Sequence, residues 1–312
     1  MRLRMAVASL FLAAVLSSPA WATNGALPGT VNYVEGQVAI GNHELNAKSI
    51  GSAELQPNQS IQTQKGMAEV LLTPGVFLRL GDNTLVEMIS PSLTDTEVQV
   101  TKGHAMVEAD RIYKANDIRV DEHDATIRLL KKGLYDFDAD HSQFRVFKGE
   151  ASLREGGHHL KVKGGKQVDL VSNEKLEARG FKQQAYEGNL YRFSRLRSDY
   201  LAEANAQAAR VYVANGWNGF GWWWDPWFGG YTFIPASGVF NSPSGWAFYS
   251  PAAPYPYWGW AGPHHVFPYR RGAPMLGDRG NLGVLQGGAF PHGPNVGAFH
   301  GPGAGAPHVI NR

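Results

Sequence analysis

A few groupings in this 312-residue chain bring together side chains of the kind that bind metals or move protons. Asp136-Phe137-Asp138-Ala139-Asp140 has the D-x-D-x-D spacing that opens an EF-hand loop. Such a loop also needs glycine at its sixth position and a bidentate glutamate at its twelfth. His141 and Phe147 stand there instead. Alternate residues on a strand share a face, so these three aspartates are expected to point to solvent at a strand edge and turn. Asp121, Glu122, His123 and Asp124 read as a solvated turn. His158-His159 and His264-His265 are adjacent pairs, and neighbours on a strand point opposite ways, so neither pair chelates alone. There is no cysteine, which excludes disulfides, thiolate metal sites and a thiol nucleophile.

Phosphate chemistry is equally unsupported. Gly164-Gly165-Lys166-Gln167 lacks the first glycine of a phosphate loop and the Ser or Thr after its lysine. Gly301, Gly303 and Gly305 have no strand and helix around them. No G-x-S-x-G or H-E-x-x-H is present. The reading is a protein that is not an enzyme, with no catalytic residue, no cofactor and no metal.

What does stand out is aromatic. Trp217, Trp222, Trp223, Trp224, Trp227, Trp246, Trp258 and Trp260 fall in one short stretch, with Tyr231, Tyr249 and several phenylalanines among Gly and Pro. Large exposed apolar patches mark interaction sites. Trp217, Trp222, Trp223, Trp224, Trp227, Tyr231, Trp246, Tyr249, Trp258 and Trp260 are therefore the candidate interaction surface, laid along an extended path. An envelope protein or a glycan is the expected partner.

The elements that must position this stretch lie before it. From about Thr30 to Leu170 the hydrophobic pattern has period 2, as in Val31-Tyr33, Val38-Ile40, Val70-Leu72, Val98-Val100, Ile127-Leu129 and Tyr135-Phe137. Turn signals such as Gly41-Asn42, Pro74-Gly75, Gly81-Asp82-Asn83 and Gly156-Gly157 separate the runs. Many short strands at regular spacing predict a mainly β fold: a sandwich, a barrel or a short solenoid. Lys102-Gly103-His104-Ala105 and Lys148-Gly149-Glu150-Ala151 echo each other, with Glu35-Gly36-Gln37-Val38 as a looser copy.

Gly36-Gln37-Val38, the stretch Leu55 to Thr63, Ala68 to Leu72 and Leu80 to Leu85 together resemble the FecR-type domain. The resemblance covers roughly Thr30 to Ser172. Asn58 stands where that family usually has glycine, and Lys132-Gly133-Leu134-Tyr135-Asp136-Phe137 replaces an R-G-T-x-F strand. The resemblance implies a multi-stranded β domain over 30–172. A signal-peptide pattern stands where that family has its cytoplasmic anti-sigma segment and membrane span, so the family's signalling role does not follow, and a periplasmic sensing domain in transmembrane signalling is a further alternative by family analogy only.

After it, Leu190, Phe193, Leu196, Tyr200, Leu201, Ala204, Ala208 and Val211 recur at helical spacing. They predict one amphipathic helix over 189–213, capped by Asn189 and ended by Asn215-Gly216. The aromatic Gly/Pro-rich segment follows over 216–262, and a Gly/Pro/His-rich tail over 263–312 reads as disordered. Charge all but stops near Gly216.

Arg2 and Arg4, the apolar run Met5 to Leu16 and Ala20-Trp21-Ala22 form a signal-peptide pattern over 1–22. The run is shorter than the roughly 20 apolar residues of a span, so no transmembrane span is expected in the mature chain. These two arginines account for the formal net charge of +2, and the near-neutral remainder argues against nucleic acid. The sequence thus reads as an exported, periplasmic or secreted, interaction or structural protein of the cell envelope, with a glycan-binding module as the alternative. N-terminal sequencing of the exported form is expected to begin at Thr23; a membrane-bound form that keeps Met1 is the contrary result.

Overall fold

The computed structural model describes residues 25–170, 176–214 and 220–252. The predicted signal segment, Trp217, Trp258, Trp260 and the tail 263–312 lie outside them. Among the described residues the protein is mainly β, with one long helix and no closed barrel.

Fifteen strands form one sheet. They are β1 Val31–Ile40, β2 His43–Glu44, β3 Ser60–Leu71, β4 Val76–Leu80, β5 Leu85–Ser92, β6 Asp95–Lys102, β7 His104–Ala109 and β8 Ile118–Glu122. There follow β9 Ala125–Leu129, β10 Gly133–Asp138, β11 Gln143–Lys148, β12 Glu150–Glu155, β13 His158–Lys163, β14 Lys166–Asp169 and β15 Arg179–Gly180. Helix α1 is Asn189–Ala214. Two hairpins end the described chain: β16 Gly221–Asp225 with β17 Gly230–Ile234, and β18 Val239–Asn241 with β19 Ala247–Tyr249.

The spatial order is β13-β12-β9-β8-β6-β5-β3-β4-β7-β10-β11-β14-β15, with β1 against β3 and β2 against β1. Pairing is antiparallel apart from β6 with β8. The sheet curls, and its inner face collects the period-2 residues into one core. Val31, Ile61, Val70, Leu78, Val98, Val120, Ile127, Phe137, Phe144 and Leu153 are all fully buried there.

Strands β3, β4, β7, β10 and β11 bury their outer face too, which gives them unbroken apolar stretches like those of doubly covered sheets. Phe77, Met106, Leu134 and Phe147 are buried on that side, under α1 and the two hairpins. The helix docks on this face with Leu190, Phe193, Leu201, Ala204 and Ala208 of its apolar stripe, and its buried side also takes in polar residues. Tyr200 and Val211 are exposed, whereas Ser194, Arg197, Ser198 and Asn205 are buried. The surface opposite carries charges, so polar helix residues are turned toward it. The start of α1 also differs from expectation: the Gly188 carbonyl accepts from the Arg192 amide, and the Asn189 side chain accepts from the Arg192 guanidinium.

The repeated K-G pattern has a common geometric cause. Gly36, Gly103 and Gly149 all have positive φ, and Gly103 and Gly149 sit where one strand ends and the next begins. Asn58, in the position where FecR-type domains carry glycine, has φ +62°; asparagine is one of the few other residues that tolerates this region. At Gly103 a Cβ would lie 2.6 Å from the Asn83 carbonyl oxygen and 2.6 Å from Thr84 Cα, both backbone. Gly103→Ala is therefore expected to destabilise the fold by at least about 1 kcal/mol, read as an earlier midpoint in chemical denaturation; an unchanged midpoint would show that the β6–β7 corner can move.

Candidate interaction surface and the buried charge beneath it

The outer sheet face holds a stripe of charge set by strand register. Glu69 on β3 pairs with Arg79 on β4, and Phe77, two residues before Arg79, pairs with Glu108 on β7. Arg79, Glu69 and Glu108 are fully buried. Arg79 Nε donates to Glu69 Oε2 at 2.7 Å and Nη1 donates to Glu108 Oε2 at 2.5 Å. Arg79 Nη1 also donates to Ser194 Oγ of α1 at 2.6 Å. From the same helix Arg197 Nη2 donates to Glu69 Oε1 at 2.8 Å and Ser198 Oγ to Glu108 Oε1 at 2.9 Å. Ser244, between β18 and β19, donates to Glu108 Oε1 at 2.8 Å. Burial alone would raise the Glu69 carboxyl, but Arg197 and Arg79 outweigh it and hold it at about 2. Burial would lower Arg79, and Glu108 and Glu69 reverse that and raise it.

Asp110 completes the group. It is buried, neither carboxyl oxygen has a hydrogen-bond partner, and burial, then Glu108, push it well above the usual carboxylate range. Two guanidiniums thus face two carboxylates, and the neighbouring Asp110 is driven toward its protonated form.

A second buried set lies on β10 and β11 and corrects the reading of the aspartate run. Asp136 does not point to solvent. It is 2% exposed, meets His104 Nε2, and accepts from Arg145 Nη1 at 2.7 Å. The reason is that β10 is covered on both faces, so its outward residues are buried as well. Burial would lower His104, but Asp136 raises it. Glu122 likewise is fully buried rather than in a solvated turn. It follows Ile118 and Val120 on the inner face of β8, and burial, then Asp138 and Asp136, push it up to about 8.

The aromatic segment seals the outer stripe. Trp222, Trp224, Phe228, Phe240 and Trp246 pack around Leu71, Phe77, Leu201, Tyr231, Phe233 and Phe248. Tyr249 packs on Ala206 and Ala209, and Trp223 on Ala208 and Ile234. Two buried amides pin the hairpins by imitating a peptide partner. Asn32 Nδ2 donates to the Tyr231 carbonyl at 2.9 Å while its Oδ1 accepts from the Tyr231 amide at 2.7 Å. Asn205 Nδ2 donates to the Phe233 and Tyr249 carbonyls, at 2.9 and 3.0 Å, and its Oδ1 accepts from the Tyr249 amide at 2.7 Å.

The structure thus divides the candidate residues. Trp222, Trp223, Trp224 and Trp246 are half-buried, and Tyr231 and Tyr249 are buried. Trp227 is 75% exposed. It sits in the β16–β17 turn, where Asp225 Oδ1 accepts from the amides of Trp227 and Phe228 at 2.8 and 3.1 Å. Trp217, Trp258 and Trp260 lie outside the described residues. Phe220, absent from the candidates, is 63% exposed at the other end of the hairpin. Sequence reasoning also passed over Glu69, Arg79, Glu108, Asp110 and Arg197. The available signal was a charge inside an apolar strand, as in Val76-Phe77-Leu78-Arg79-Leu80.

No protein-family model matches this chain, and none of the curated proteins does. Among solved structures, two crystal structures of an anti-sigma-factor-like protein from Parabacteroides distasonis ATCC 8503, at 1.65 and 2.50 Å, are similar to it. Each shares 14% identity, with 40% of this chain and 61% of that one covered, at a TM-score of 0.34. The chain thus spans about three fifths of the length of those structures.

Removing the central cation should leave two buried carboxylates uncompensated. Arg79→Leu is expected to destabilise the protein by about 3–5 kcal/mol in denaturant titration; a loss within experimental error would mean that the stripe is hydrated. Asp110→Asn should behave differently. The folded pKa of Asp110 lies above its unfolded value, so from about pH 4 upward the unfolded chain binds fewer protons than the folded one and stability falls as pH rises. Asn has no proton to lose. The stability of Asp110→Asn relative to the parent should therefore grow from pH 4 upward, and an advantage that shrinks with pH would refute a protonated Asp110.

Proposed function

We propose that this chain is an exported, non-enzymatic interaction protein of the cell envelope, built on a FecR-like β domain and contacting its partner through the turn that carries Trp227. The observation that carries this reading is the contrast within the aromatic segment. Several of its aromatic side chains are engaged in covering the charged sheet face, while Trp227 is held out on a turn fixed by Asp225. An exposed indole on a rigid support offers apolar area at little ordering cost, which is why such residues anchor interfaces. The non-enzymatic reading is supported by where several displaced ionisable groups lie: Glu69, Arg79 and Asp110 are buried beneath α1 and the hairpins, and Glu122 is buried on the inner face of β8.

A glycan partner is the second reading, favoured by the flat, accessible face that Trp227 offers to a sugar ring. The signal-peptide pattern supports export, and the near-neutral mature chain supports a partner other than nucleic acid.

The test is capture from envelope extracts by the mature protein and by Trp227→Ala, alongside tryptophan fluorescence titration with peptidoglycan fragments and exopolysaccharide. A retained envelope protein lost in Trp227→Ala supports the first reading. A saturable fluorescence change on glycan, also lost in the variant, supports the second. Capture and titration that do not differ between the two proteins would remove Trp227 from the interaction.

A further inference from the structure

A small cleft opens between α1, strands β10 and β11, and the turn of the β18–β19 hairpin. Its volume is about 110 Å³, several times the ~10–15 Å³ that one water needs. The floor is apolar: Leu134 and Phe147 are both 3% exposed, and Tyr191 lies against Phe147 with ring centroids 5.1 Å apart. The walls bring two cations together, Lys148 from the end of β11 and Arg195 from α1.

The polar groups around it have unequal freedom. The Ser244 hydroxyl is committed as a donor to Glu108. Gln183 Nε2 donates to the Phe147 carbonyl at 3.1 Å, which fixes the amide at the rim. The Lys148 ammonium donates to the Pro243 carbonyl. Arg195 is hydrogen-bonded to the Tyr191 side chain; with the phenol oxygen accepting, its O–H is left to donate. Acidic groups are near but differently placed. Glu108 is engaged by Arg79 beneath the floor, Glu187 acts on Tyr191, and Asp199 lies one helical turn beyond Arg195.

We infer that this cleft binds a small carboxylate bearing a short apolar group, with Arg195, Lys148 and the Tyr191 hydroxyl on the carboxylate and Leu134 and Phe147 against the carbon chain. A guanidinium matches the two oxygens of a carboxylate side by side, and an ammonium adds a point charge. The apolar floor and small volume select against a large polar head. A short organic acid and the C-terminal residue of a peptide share this chemistry. The inference is independent of the Trp227 turn and stands if that surface proves inert.

The experiment is titration of the ¹⁵N-labelled mature protein with propionate, N-acetylalanine, N-acetylalanine amide and inorganic phosphate, following the backbone amides of Gln183, Arg195 and Ser244. Saturable shifts with the two carboxylates and none with the amide are expected. A preference for N-acetylalanine over propionate assigns a peptide terminus, and the reverse assigns a short acid. Arg195→Gln and Lys148→Gln, each shown to melt like the parent, are expected to weaken binding about tenfold, and Arg195→Lys to recover part of the loss. Should Arg195→Gln fail to fold, Lys148→Gln alone decides. The inference is overturned if no carboxylate gives a saturable shift, if phosphate binds as well as propionate, or if the folded variants bind like the parent.

Discussion

Arg79 sits inside a strand whose two faces are both covered, and much of the outer architecture follows from that position. A guanidinium at zero exposure is tolerable only where carboxylates and further acceptors surround it. Glu69 and Glu108 supply the charge from the two neighbouring strands. Two carboxylates then need more than one cation, and Arg197 of α1 supplies the second. The helix is thereby located by electrostatics as well as by packing. Its serines at 194 and 198 fall one turn apart, and each completes a bond to the stripe. This explains why the buried side of α1 carries polar residues beside Leu190, Phe193 and Leu201.

Sealing such a stripe calls for large, low-entropy side chains, and the aromatic segment provides them. Phe233 sits among Trp222, Phe240 and Phe248, with ring centroids 6.2, 5.7 and 6.3 Å away. Two short hairpins could not hold these rings alone, since isolated two-stranded ribbons are marginal in water. Asn32 and Asn205 offset this by giving the hairpin backbones partners from outside the hairpins. The low-charge segment and the charged domain before it consequently share one interior, in which the segment's aromatics cover Glu69, Arg79 and Glu108. Arg197 joins the two, with its guanidinium over the rings of Tyr33 at 4.5 Å and Phe228 at 4.8 Å.

The surface left by this arrangement is sparing in large apolar groups, and Trp227 and Phe220 are its most exposed aromatics among the described residues. Among the described residues, the two candidate features are small and separate: one indole on a fixed turn, and one cleft with two cations. Neither touches the core network directly, although Ser244 stands between the cleft and Glu108.

The amino-acid sequence by itself determined the strand pattern from about Thr30 to Leu170, its turns and the helix that follows, whereas the two hairpins of the aromatic segment appeared only in the structure. Period-2 alternation, turn glycines and 3.6-residue spacing are local properties, set by backbone geometry within a few residues. The glycines at 36, 103 and 149 were legible for the same reason. The sequence also put the tryptophans of the predicted mature chain after the helix, because composition is read directly. Tertiary structure decided what covers what. Asp136 and Glu122 look solvated in a linear reading, and both are buried because neighbours distant in sequence close over them. The same holds for Trp222, Trp224 and Trp246, which pack inward, and for Trp227, which does not. A buried charge needs a partner, and partners such as Glu69 with Arg197, 128 residues apart, meet only when the sheet has formed and the helix has docked.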